Sequence, residues 1–63
     1  MAVEKDSNIL AIARAAVAEF GPNAAEVMDR RAKDHELAGE LETAELWRRV
    51  AASVREIFRG RIN

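Results

Sequence analysis

Glycine and proline punctuate this chain at three places only: Gly21-Pro22, Gly39 and Gly60. Glycine takes the left-handed conformation that closes a helix, and proline cannot continue one. The segments between these breaks are rich in alanine, the strongest helix former. None of them alternates polar and apolar residues as a half-buried strand does. The spacing therefore predicts an all-α fold, a compact three-helix domain with helices near residues 8–20, 24–38 and 42–59. A length of 63 residues holds a single domain spanning 1–63, small enough that its stability is marginal.

Each segment repeats its apolar residues at helical spacing. Asp6 or Ser7 is expected to cap the first helix through its side-chain oxygen. Ile9, Ile12, Ala13, Ala16, Val17 and Phe20 then form one stripe. Asn23 to Glu26 has the N-x-x-E form of a capping box. The second helix has a thinner line, Ala25, Met28, Ala32 and His35, with Leu37 and Ala38 at its end. Its acid-first pairs Glu26–Arg30 and Asp29–Lys33 mark a solvated face. The short connection Gly39-Glu40-Leu41 makes helices two and three antiparallel neighbours. The third helix carries Trp47, Val50, Val54 and Ile57, widened by Ala44, Leu46, Ala51 and Phe58. Alanines on the inward faces let helix axes approach closely, and Arg61-Ile62-Asn63 is expected to fray.

The arrangement Phe20-Gly21-x-x-Ala24, Met28-x-Arg30-Arg31-Ala32, Ala38-Gly39-Glu40 and Ala44-x-x-Trp47-x-x-Val50-Ala51 resembles a group of short helical bacterial proteins. They share a skeleton of apolar-G-x-x-A, A-G-[DE] and W-x-x-[IV]-A. Because those positions are turn and packing residues, the resemblance implies a fold and no activity. The second and third segments are also similar to one tetratricopeptide unit, with Ala32, Gly39, Ala44 and Ala51 at its small-residue positions. Arg48 and Glu56 stand where that unit has a large apolar residue and a proline, and no second copy follows to stack on it.

Catalytic chemistry finds little to work with. There is no cysteine for a disulfide, a thiolate nucleophile or a soft metal site. His35-Glu36-Leu37-Ala38-Gly39 begins like a zinc-protease helix, but Gly39 stands where the second histidine belongs. The other reading of His35, the only histidine, is a half-buried helix residue beside the hairpin. Ser7, Thr43 and Ser53 are the only aliphatic hydroxyls, and the isolated glycines make no phosphate-binding loop. No catalytic residue, metal or cofactor is therefore expected, no small-molecule substrate, and no enzyme. The charged N-terminal segment lacks an apolar signal region, and no apolar run approaches the roughly 20 residues that span a bilayer. A cytoplasmic location is expected.

Binding is the better expectation. Residues 1–45 carry ten acids against five bases, whereas residues 46–63 carry five arginines against Glu56 alone. Such a split steers a partner or makes the molecule self-complementary. The third helix offers more large apolar groups than two alanine-lined neighbours cover, so self-association or a protein partner is expected. The expected contact is Leu46, Val50, Val54, Ile57 and Phe58, with Trp47 nearer the internal core. Arg48, Arg55 and Arg59 share one face, Arg49 lies beside it, and arginine forks suit anions or acidic partners. The bland reading is a solvated face paired with acids of helix two. The alternative function is a small nucleic-acid-associated regulator using those arginines. Against it stand a pI near 5.8 and only three aromatic residues.

Overall fold

A computed structural model describes residues 2–60, with side chains described from Asn8 to Gly60. Arg61-Ile62-Asn63, expected to fray, lie outside the described residues. The chain forms α1 (Ala2–Phe20), a tight 3-10 turn (Gly21–Asn23), α2 (Ala24–Leu37) and α3 (Leu41–Phe58). No described residue is in a strand, so the fold is all-helical. The helix count is coarser than expected. From Ala2 to Leu37 no residue falls outside a helix or the 3-10 turn, so the chain is two helical stretches, the first bent at Gly21-Pro22-Asn23.

The bend has a local cause. Gly21 takes φ +60°, which turns the chain at a residue without a Cβ to clash. Pro22 has its φ already fixed for a first turn, and Ala24 N–H donates to the Gly21 carbonyl. This geometry also corrects two expected caps. Asn23 sits at φ −90°, ψ 0° and makes no side-chain cap bond, so the Asn23–Glu26 capping box does not form. A cap needs an extended residue, and the 3-10 turn has already taken Asn23 out of that region. At the other end α1 begins at Ala2, so Asp6 and Ser7 lie inside the helix and do not start it. Ala2, Glu4 and Lys5 are good helix formers and carry the helix upstream.

The hairpin turn follows the sequence closely. Gly39 has φ +82°. Gly39 N–H donates to the Glu36 carbonyl at 3.0 Å and Glu40 N–H to the His35 carbonyl at 2.9 Å. These are the paired reverse bonds of a Schellman ending, which satisfy carbonyls that the helix leaves orphaned. The chain then enters α3 antiparallel to α2.

α3 is the spine of the molecule. α2 packs along it most extensively, α1 next, and α1 and α2 touch each other far less. The result is flattened, with extents of 33 × 30 × 16 Å. Ile9, Ala13 and Ala16 from α1, Ala24, Met28 and Ala32 from α2, and Ala44, Val50, Ala51 and Val54 from α3 are buried, and no described polar side chain is. Alanine at most of these positions lets the axes close up. Ile9 and Met28 are the largest of the ten, and enclosing a side chain of that size contributes about 1.5–3 kcal/mol.

Candidate functional site

α3 places the expected contact residues in three different environments. Val50 and Val54 have no exposed surface. This corrects their assignment to a partner contact, because they are already covered by the chain itself. The reason lies in α1 and α2, which offer more than alanine. Ile9 and Met28 enter the core, and Ile12, Val17, Phe20 and Val27 pack around it. Leu46 and Ile57 are half-buried and pack against the same core. Leu46 also lines a surface groove of about 420 Å³ with Glu42, Thr43, Glu45 and Arg49. Only Phe58 stands clear, at 54% exposure.

Two apolar residues outside the expected set are more exposed than Phe58. Leu37 is 76% and Leu41 65% exposed, flanking Ala38-Gly39-Glu40 at the hairpin turn. The sequence does hold a signal for Leu37. It lies five residues beyond the buried Ala32, roughly 140° round the helix at 100° per residue, and so off the buried line. Leu41 and Phe58 differ. Phe58, four residues after the buried Val54 and seven after the buried Ala51, continues the α3 stripe past its cover, whereas Leu41, three residues before the buried Ala44 but roughly 180° round from Val50, lies at the stripe's margin. α2 has 14 residues and α3 has 18. The shorter helix falls about 6 Å short at 1.5 Å per residue.

The arginines of α3 are engaged. Arg48 Nη2 lies 2.9 Å from Glu36 Oε1 on α2, and Arg55 pairs with Asp29 of α2. Arg49 lies 3.7 Å from Glu45, and Arg59 Nη1 lies 2.9 Å from Glu56. The cross-helix pairs align the two helices in antiparallel register. All are largely solvent-exposed, so each adds well under about 1 kcal/mol. The acidic and basic parts of the sequence thus meet within one chain, α2 against α3.

Where the three helices meet, cations and aromatic rings form one layer. The Arg31 guanidinium lies 5.9 Å from the Phe20 ring centroid and 5.5 Å from that of Trp47, a range in which the ring face attracts the charge. The His35 ring stacks with Trp47 at 6.5 Å and 13°. Its Nδ1–H donates to Glu40 Oε1 at 2.5 Å. Trp47 is half-buried and packs against the core, as expected, with Arg31 and His35 beside its ring. Beside it a cleft of about 120 Å³ is walled by Ile12, Ala16, Phe20, Met28 and Arg31. His35 keeps Glu40 as its carboxylate partner. Among the described residues no group of three or more histidines and carboxylates is placed to hold a metal ion. No described helix is long and apolar enough to cross a membrane.

Comparison with known proteins adds no family to this picture. The chain matches no protein-family model, no curated protein and no solved structure. Its functional reading rests on its own geometry.

Proposed function

We propose that this chain is a non-catalytic three-helix module for protein–protein contact, associating with a second copy or a larger protein through the uncovered ends of α3 and the adjoining hairpin turn. The observation that carries this reading is the placement of Leu37, Leu41 and Phe58. Among the described residues they are the large apolar side chains left exposed, the others being buried or half-buried. In a chain this small, each such group left in water forgoes stabilisation that a partner can restore. A pI near 5.8 and only three aromatic residues favour protein contact over nucleic acid.

The test is molecular mass by light scattering across a concentration series. The wild type is expected to gain mass reversibly in the micromolar range. A Leu37→Ser, Leu41→Ser, Phe58→Ser triple variant is expected to stay monomeric with an unchanged helical circular dichroism spectrum. A wild type that remains monomeric to millimolar concentration overturns the self-association reading.

A further inference from the structure

The uncovered apolar groups sit at opposite ends of the molecule, and the sequence segments that carry them differ in charge: acidic from Asp34 to Glu45, basic from Arg55 onward. We propose that the chain associates head to tail: the hairpin turn of one copy, with Leu37 and Leu41, receives Phe58 at the α3 terminus of the next. The inference rests on the self-association reading above and adds its geometry.

Leu41 opens α3 and Phe58 closes it. Over 18 residues they lie roughly 26 Å apart at 1.5 Å per residue, so they cannot meet within one chain. From Asp34 to Glu45 the sequence has five carboxylates and no lysine or arginine. From Arg55 to Asn63 it has three arginines and one acid. Among the described residues the Glu40 carboxylate pairs with His35, and Asp34 and Glu42 form no ion pair. The internal pair of Arg59 leaves its side chain 63% exposed, and pairs of that kind are weak enough to be exchanged. Turn against turn would set carboxylates face to face, and terminus against terminus would set arginines together. Turn against terminus joins unlike charges around an apolar centre, which fixes orientation as well as attraction.

A contact between two different patches is heterologous. It propagates into an open chain of molecules unless the rotation closes a ring. Mass should therefore rise past the dimer with concentration.

The deciding experiment uses two blocked variants of the full chain. Leu37→Asp with Leu41→Asp disables the turn and leaves the terminus intact. Phe58→Asp disables the terminus and leaves the turn intact. Each variant alone is expected to associate at least about tenfold more weakly than wild type, a loss of 1.4 kcal/mol or more. Mixed in equal amounts they are expected to form a one-to-one dimer, and nothing larger, in analytical ultracentrifugation. Circular dichroism confirms that both are folded, and serine replaces aspartate in any variant that loses helicity. If Phe58→Asp alone still dimerises, the contact is turn to turn and the proposal is wrong. Dimerisation of the turn variant alone, or a mixture that stays monomeric, overturns it equally. A wild type that never associates defeats the self-association reading itself.

Discussion

The middle of α3 and its two ends are alike apolar, yet they have opposite fates. Val50, Ala51 and Val54 have no exposure at all, whereas Phe58, in register with them, and Leu41, at the margin of their stripe, are more than half exposed. Composition does not separate them, since all are apolar helix residues. Reach does. α2 is four residues shorter than α3, so it does not run the whole length of α3. Periodicity tells which face of a helix is buried, and the lengths of its neighbours tell how far along that face burial runs.

The comparison breaks most sharply if charge is placed in the middle. Val54→Asp puts an unpaired carboxylate where no water reaches, a change at the severe end of single substitutions, above about 4 kcal/mol. A domain of this size is expected to lose its helical circular dichroism signal altogether. Phe58→Asp, on the same stripe, is expected to keep it.

A milder change in the same region gives a graded answer. Met28→Ala removes one of the two largest buried side chains, packed in one cluster with Val50, Ala51 and Val54 of α3, and truncations of this kind cost about 2–5 kcal/mol. At roughly 4–8 °C per kcal/mol for a small domain, the midpoint should fall by at least about 10 °C in a thermal melt. A smaller shift would mean that the core collapses around the gap and is looser than its burial suggests.

The turn itself comes next. Gly39→Ala forces a Cβ into φ +82°, with no atom within 4 Å of the added group. The penalty is then purely conformational, roughly 1–2 kcal/mol, and Gly39→Asn should recover part of it. A large loss in both variants would point instead to a packing role that the open space around Gly39 does not provide. The smallest effect belongs to the surface ion pairs. Arg48→Gln and Arg55→Gln should each lower stability by less than about 1 kcal/mol, with the difference vanishing in high salt.

Much of this was legible in the sequence. The breaks at Gly21-Pro22, Gly39 and Gly60 located every turn, because left-handed glycine is what those turns require. The stripes of α1 and α3 chose the buried faces, with Ile9, Ala13, Ala16, Val50 and Val54 enclosed. Three things were not legible. The 3-10 turn removed Asn23 from capping geometry, which depends on how two helices are joined rather than on either one. α1 extends upstream of Asp6 and Ser7, where good helix formers outweigh good caps. The excess apolar surface assigned to the middle of α3 vanished because α1 lays Ile9, Ile12 and Phe20 around it, a matter of tertiary placement. That left Leu37, Leu41 and Phe58 as the exposed set, of which periodicity had singled out only Phe58.

The most direct test of the account follows backbone amide resonances of the full chain as it is diluted from millimolar to low micromolar concentration. If the middle of α3 is internal core and its ends are contacts, shifts change with concentration at residues 37–42 and 57–60 and stay constant at 50–54. Changes centred on Val50 and Val54, with the ends unmoved, would contradict it.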